Sequence, residues 1–334
     1  MIISRTPFRI SFFGGGTDYP TWYREHGGAV LGTTIDKYCY VSCRSLPPFF
    51  DHRIRVVYSA IEMCKSPDEI RHPSVRECLR FLHFNSGVEI HHDADLPARA
   101  GIGSSSAFTV GLMNAMYALQ GKMVSKQELA RHAIHIEQKM IQETVGSQDQ
   151  TLTAHGGLNH VQFHQNDDTT VNRIPLTPQR LEEFQSHLMM FYTGLVRTAS
   201  QVAGQVLADM PNRTDQMHRM RQMVDEGLSI LTSKQDVCDF GRLLHENWQL
   251  KRSLSKAISN SEIDGVYDKA MTSGAIGGKL LGAGGGGFLL LFVKPEEQAY
   301  VRRCLNQLLY VPFRFESQGS HIMVYEPDQL ERAA

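Results

Sequence analysis

The chain has 334 residues, of which 42% are hydrophobic and 21% charged. That is enough to bury roughly 75% of the unfolded surface without a disulfide or metal staple, and it excludes a disordered or low-complexity chain. Lys plus Arg number 34 against 35 Asp plus Glu, a formal net charge of −1, so composition lends no support to nucleic acid as a partner.

In chain order, Ile2 to Ser11 reads as a strand that breaks at Gly14, Gly15 and Gly16. Val30 to Arg44 and Ile54 to Ser59 read as further strands, and Pro67 to Asn85 as a helix. Val88 to His92 is a short strand leading to a Gly/Ser cluster and a helix that ends at Leu119. Phe108, Leu112, Ala115 and Leu119 recur at helical spacing and mark its buried stripe. Ser125, with Glu128 three residues on, predicts a capped helix reaching about Gln142. Strands follow at Leu158 to His164 and His187 to Tyr192, with a polar turn at Asn166 to Thr170 between them. Arg197 to Thr272 is mostly helical, with breaks near Pro211, Ser233 and Ser259. A glycine turn, the strand Phe288 to Val293, a helix from Pro295 and two short strands near Val311 to Glu316 and His321 to Tyr325 complete the chain. The pattern predicts an α+β protein of two lobes, 1–175 and 176–330.

The six cysteines show neither Cys-x-x-Cys nor zinc spacing and read as reduced, buried thiols. Met1 to Ile10 lacks the layout of a secretory signal. The longest aliphatic run is far short of the ~20 residues that a membrane helix needs. The expectation is a soluble, cytoplasmic protein that does not engage a membrane.

Three glycine-rich segments carry the chemistry. In Pro7 to Pro20, a strand runs into Gly14-Gly15-Gly16-Thr17-Asp18. This reads either as a tight hairpin turn or as backbone brought close to a ligand, with Asp18 placed to accept hydrogen bonds from sugar hydroxyls. In Leu96 to Ala107, Gly101, Gly103, Ser104, Ser105 and Ser106 open a helix. Unpaired N–H groups and the helix dipole favour an anion there, and no Gly-Lys-[Ser/Thr] follows to make a Walker A loop. In Lys279 to Phe288, Gly282, Gly284 and Gly287 spell G-x-G-x-x-G, but a strand follows where a dinucleotide fold requires a helix. That segment reads as a turn, or as backbone that shapes an active site.

Two carboxylates stand out. Glu137 falls on an apolar stripe with Ala130, Ile134 and Ile141. It reads as a boundary residue reaching solvent, as half of a salt bridge, or as a Mg²⁺ ligand. Asp149, in Ser147-Gln148-Asp149-Gln150, reads as a helix cap or as a base that orients a hydroxyl. His132 and His135 lie three apart with no third ligand and read as a surface pair.

Taken in order, the three glycine segments resemble the motifs of the galactokinase, homoserine, mevalonate and phosphomevalonate (GHMP) kinases, and the resemblance covers nearly the whole chain. Phe13 to Pro20, Thr34 to Tyr38, Gln148 to Gln150, Phe191 to Gly194 and Leu281 to Phe288 further resemble the bacterial heptose 7-phosphate kinase family. The resemblance implies a two-lobed fold: an N-terminal mixed-sheet lobe with a left-handed βαβ unit and a ferredoxin-like C-terminal lobe. It implies an ATP- and Mg²⁺-dependent kinase that phosphorylates the anomeric hydroxyl of D-glycero-α-D-manno-heptose 7-phosphate on the way to GDP-heptose for surface polysaccharide.

Carried over by motif position, Pro97, Ala98, Arg99, Ala100, Gly101, Ile102, Gly103, Ser104, Ser105, Ser106 and Ala107 form the ATP phosphate loop. Ser105 and Glu137 hold Mg²⁺, Asp149 is the catalytic carboxylate with Arg9 beside it, and Asp18 binds the sugar. Gly15 and Gly16 stand where galactokinases have Glu-His, which argues against galactose. Thr17, Gly284 and Gly285 join the substrate site, and Lys37, Arg24 and Arg197 are candidates for a distal sugar phosphate or are plain surface charge. The implied partner is a small sugar phosphate, and the oligomeric state is left open between monomer and homodimer. A free-sugar kinase acting on, for example, fucose and a catalytically silent sugar sensor are the competing readings.

Overall fold

The computed structural model describes residues 1–195 and 199–327. The first half of the chain builds strands β1 (Ile2–Phe13), β2 (Gly28–Ser45), β3 (Ile54–Val57), β4 (Ile61–Cys64), β5 (Val88–Ala94), β6 (Asn159–Phe163) and β7 (Thr169–Arg173). Helices α1 (Pro20–His26), α2 (Pro73–Phe81), α3 (Ser104–Leu119), α4 (Lys126–His135) and α5 (Gln148–His155) lie between them. The second half adds α6 (Pro178–Ser186), β8 (Leu188–Tyr192), α7 (Ala199–Asp209), α8 (Thr214–Thr232), α9 (Cys238–Leu254), α10 (Ser261–Thr272), β9 (Ala275–Leu280), β10 (Phe288–Val293), α11 (Gln298–Cys304), β11 (Leu309–Tyr310), β12 (Phe315–Glu316) and β13 (His321–Tyr325).

Two sheets result. The larger runs β13-β1-β2-β5-β3-β4, with β6 and β12 attached along β2 and β7 paired to β6. It is mixed, because β3 pairs parallel with β5 while the others run antiparallel. The smaller runs β11-β8-β10-β9, all antiparallel. Its strands enter in the order β8, β9, β10, β11, with helices after the first and third, which is the ferredoxin-like arrangement. The chain then returns to the first sheet: β12 pairs with β2 and β13 with the outer edge of β1. A boundary at residue 175 therefore separates the sheets only as far as Tyr310, because the edge of β1 is closed by the far end of the chain. Among the described residues no helix is long and apolar enough to cross a membrane.

The local departures from sequence expectation have physical causes. The helix read over Pro67 to Asn85 is split into one 3₁₀ turn at Pro67–Glu69 and α2. Pro73 lacks the N–H that a continuous helix needs, so it opens α2 instead. The capping box of Ser125 and Glu128 forms. The helix behind it widens after His135 into a π turn over Ile136–Met140, with the Ile141 N–H reaching back to the Ile136 carbonyl. Strand β9 escaped notice because two glycines and a lysine interrupt its apolar run. Strand β7, placed in the polar turn, is an edge strand with exposed, polar side chains.

An aromatic cluster welds the lobes. Phe12 of β1 lies 5.4 Å from both Phe184 of α6 and Phe240 of α9, and Phe240 lies 4.9 Å from Phe13 and 4.7 Å from Phe184. Most contacts are edge-on or tilted, the geometry that ring quadrupoles favour. Phe240 is fully buried, so Phe240→Ala is expected to cost about 3–5 kcal/mol of stability, measured as a lower denaturant midpoint at unchanged slope.

Candidate active site

The site forms where the end of β1, the loop before α3 and the start of α5 converge. Arg9 is buried on β1, and its guanidinium is held on three sides. Nε and Nη2 donate to the two oxygens of Asp149, each at 2.7 Å, and Nη1 donates to the Gly101 carbonyl at 2.6 Å. The Arg9 backbone N–H also bonds the Ile102 carbonyl at 3.2 Å. One residue thus ties the strand, the glycine loop and α5 together. Such a bidentate, charge-assisted pair sets the carboxylate's position and orientation. Asp149 keeps 24% of its side chain exposed, open to an incoming group.

The loop from Pro97 to Ala107 fits this frame through glycine. A Cβ at Gly103 would stand 3.2 Å from Asp149 Oδ2 and 3.1 Å from Arg9 Cγ, and φ there is +73°. The turn behind the loop is the hairpin between β9 and β10, and it meets the loop backbone to backbone. A Cβ at Gly282 would lie 2.4 Å from Gly101 Cα, and the Phe288 N–H bonds the Ala100 carbonyl at 3.1 Å. The G-x-G-x-x-G segment therefore shapes the loop from behind. Its Gly284 and Gly285 pack on Ile258 and are not brought to Asp149. The N–H groups of the first turn of α3 have no partner within the helix and form an anion-binding end. Pro97, Ala98 and Arg99 lie exposed on the loop's rim, with Arg99 N–H bonded to Ser104 Oγ.

Asp18 is buried and faces Asp149 from the β1–α1 loop. Its carboxylate accepts the N–H of Gly16 at 2.9 Å and of Gln148 at 3.2 Å. Burial outweighs those bonds and pushes its pKa up to about 6, with the Asp149 charge adding to the rise. Beside it, the Ser11 hydroxyl and the Gln148 side-chain carbonyl are buried without a hydrogen-bond partner, and Ser11 Oγ and Gln148 Nε2 lie 3.8 and 3.6 Å from where a Cβ on Gly15 would stand. Unsatisfied polar atoms around a carboxylate suit the hydroxyl groups of a sugar. Thr17 serves the loop instead: its hydroxyl bridges Gly14 and Ala29 backbone groups and is fully buried.

Glu137 is fully buried, which removes the reading of a residue that reaches solvent. The π turn aims it at α3, where Oε2 accepts from Ser106 Oγ at 2.8 Å and from the Gln150 amide. Its Oε1 makes no hydrogen bond of good geometry, and burial raises its pKa to about 7 against the pull of the Thr109, Ser106 and Gln150 side chains. A buried carboxylate with one free oxygen and a hydroxyl beside it is a donor set for a hard divalent cation. The serine brought to Glu137 is Ser106, whereas Ser105 is exposed: successive helical residues point about 100° apart.

Of the distal phosphate candidates, Arg24 is paired with Asp167 at 2.8 Å on the surface, and Lys37 with Asp36 at 3.0 Å. Arg197 lies outside the described residues. Three residues near the centre escaped the sequence reading. Tyr19 lies within the fields of Asp18, Asp149 and Arg9. Lys251 of α9 and Lys279 of β9 enter from the second lobe. Tyr19 and Lys279 stand inside the glycine motifs but have no role assigned there, Lys251 lies outside every motif, and only the docking of the lobes brings the lysines in.

Residues 73–157 match the sequence model of the GHMP kinases N terminal domain, and residues 230–310 that of the GHMP kinases C terminal domain. The chain belongs to the GHMP kinase family and is an enzyme of that family, a kinase. It is 26% identical over 333 residues to the D-glycero-alpha-D-manno-heptose 7-phosphate kinase of Campylobacter jejuni, covering 95% of this chain and 97% of the relative. The crystal structure of a D-glycero-D-manno-heptose 1-phosphate kinase from Bacteroides thetaiotaomicron has a TM-score of 0.80 and 25% identity, over 98% of this chain and all of that one. The L-fucokinase/L-fucose-1-P guanylyltransferase of Bacteroides fragilis is 24% identical over 92% of this chain, which spans only 36% of that larger protein.

Asp18 couples the site to stability. Its folded pKa lies above the ordinary 3.8, so the stability it lends is complete below about pH 4 and is lost as pH rises through about 6. Asp18→Asn removes that loss. The variant is expected to be more stable than the parent at pH 8, by on the order of 2–3 kcal/mol, with the gap closing toward pH 4. Thermal unfolding across that range measures it, and a gap independent of pH contradicts the assignment.

Proposed function

We propose that this kinase transfers the γ-phosphoryl group of ATP to the anomeric hydroxyl of D-glycero-α-D-manno-heptose 7-phosphate, giving the 1,7-bisphosphate that leads toward GDP-heptose. The observation that carries the reading is the Arg9–Asp149 pair, set against the phosphate loop on one side and Asp18 on the other. The full-length similarity to a heptose 7-phosphate kinase supports the acceptor. The bare backbone at Gly15 supports it too, since a side chain there would stand against Ser11 and Gln148, the polar groups left for the sugar, whereas Gly16 packs against Met217.

The bond from γ-phosphorus to the bridging oxygen breaks and ADP departs with that oxygen. The anomeric oxygen bonds to the phosphorus, and its proton passes to Asp149. Arg9 spends three N–H bonds on holding Asp149 and the loop, so Asp149 is aimed at the acceptor hydroxyl without reorganisation during transfer. Asp18 and the free acceptors of Ser11 and Gln148 orient the sugar. The N–H groups at the start of α3 bind the triphosphate. Glu137 and Ser106 would hold Mg²⁺, which supplies neutralisation of phosphate charge.

A second reading, a free-sugar kinase, is favoured by the occupation of Arg24 and Lys37 by Asp167 and Asp36. ADP release with Mg²⁺-ATP against heptose 7-phosphate, free heptose, mannose and L-fucose separates the two. Turnover confined to the 7-phosphate is the expected result; turnover on a free sugar overturns the acceptor but not the transfer chemistry. Asp149→Asn is expected to lower kcat by at least about 10³-fold, within the span of general-base losses, while ADP binding by calorimetry is unchanged. Glu137→Gln is expected to raise the Mg²⁺ concentration needed for half-maximal rate about tenfold or more, in line with the loss of one cation ligand.

A further inference from the structure

Arg9, Asp18 and Asp149 all come from the first lobe, yet the second lobe, besides the glycine hairpin between β9 and β10, delivers two ammonium groups to the same place. Lys279 is buried and donates to the Phe12 carbonyl at 2.7 Å. Lys251, half-buried, donates to the Gly282 carbonyl. Among the described residues neither has a carboxylate within ion-pair distance. Lys279 is spent on closing the lobes: Asn247, one turn before Lys251 on α9, reaches the same Phe12 carbonyl at 3.4 Å. Lys251 is placed differently. Gly282 abuts Gly101, and the Gly101 carbonyl takes Arg9 Nη1. Lys251 and Arg9 therefore stand on either side of the glycine contact that forms the tip of the phosphate loop.

The charge count favours an anion between them. By formal charge Arg9, Lys251 and Lys279 outnumber Asp18 and Asp149 by one, and burial, with the Lys251 and Arg9 charges, holds the Lys279 ammonium well below the ordinary lysine range, a strain that a bound anion relieves. Burying an ammonium without a carboxylate is costly unless it meets an anion in use. Two of the three N–H bonds of Lys251 remain free after the Gly282 carbonyl is satisfied.

We propose that Lys251 is a catalytic residue of the transfer, its ammonium contacting the non-bridging oxygens of the phosphoryl group in flight across the loop tip from Arg9. The inference rests on the kinase reading above. The ammonium keeps its protons throughout; it offsets charge that grows on the phosphoryl and ADP oxygens as the bridge bond breaks. Because the residue arrives on α9, the centre is complete only when the second lobe is docked.

The test compares the parent, Lys251→Met and Lys251→Arg in steady-state ADP release, with ADP affinity measured by calorimetry. The expected result for Lys251→Met is a kcat loss of about 100-fold or more, the size seen when one preorganised donor is removed. KM for both substrates and ADP affinity stay within about threefold, and Lys251→Arg recovers part of kcat. A kcat within threefold of the parent overturns the proposal. So does a loss confined to KM for the acceptor, which would move Lys251 to sugar binding.

The parent enzyme gives a second reading that no folding defect can blur. The groups facing Lys251 are Arg9 from β1, Asp18 from the β1–α1 loop, Asp149 from α5 and Lys279 from β9. Burial and the Arg9 charge bring Lys251 down to about 8, so kcat/KM for ATP should fall as pH rises above about 8, and this limb should be absent in Lys251→Arg. A flat profile to pH 9.5 overturns the proposal. Silence of the parent on every acceptor, and in acceptor-free ATP hydrolysis, counts against the kinase reading; an active parent with an unimpaired Lys251→Met counts against Lys251 alone.

Discussion

The guanidinium of Arg9 is the constraint on which the rest of the site depends. A planar fork with fixed N–H directions can satisfy a carboxylate with two parallel bonds and still offer an arm to a carbonyl. Here the carboxylate is Asp149 and the carbonyl is Gly101, so one side chain sets the distance between that carboxylate and the glycine loop before α3. A lysine could not do this, because a point charge on a flexible stem fixes no plane. The bare backbone of Gly103 follows from the same geometry, since any side chain there would enter the Arg9–Asp149 pair.

Around that fork the protein holds charges in places that do not favour folding. Asp18 and Glu137 are both buried with pKa values lifted by desolvation, and Lys251 is depressed for the same reason. Groups of this kind mark sites where recognition is preferred to stability. The compensation lies nearby, in apolar contact. The rings of Phe12 and Phe13 at the end of β1 pack on Phe184 and Phe240, which lie on helices of the second lobe, so the strand that carries Arg9 is anchored just beyond Arg9 and Ser11.

Much of this was legible in the sequence for local reasons. The glycine loops, the capping box of Ser125 and Glu128, the strand Phe288 to Val293 and the helix from Ser104 to Leu119 are written in short-range patterns, and each forms. The resemblance of the ordered motifs picked out Arg9, Asp18, Glu137 and Asp149, which the fold brings into two adjoining clusters. The residues proposed for a distal phosphate show the limit of this approach. A cation beside a motif is not a cation in the site: Arg24 and Lys37 found local carboxylates first.

The sequence by itself determined the family and the two-lobed α+β class, because the motifs that mark them are ordered along the chain, and it singled out the carboxylates that the proposed mechanism uses. Only the tertiary structure decided which serine meets Glu137, since a π turn on one helix and a rotation of 100° on another select Ser106 over Ser105. Only it returned the last strands to the edge of β1, and only it carried Lys251 and Lys279 from the second lobe to the reaction centre. The reason is the same in each case. Side chains far apart in sequence become neighbours through the packing of whole elements, and no local pattern records which faces those elements turn to one another.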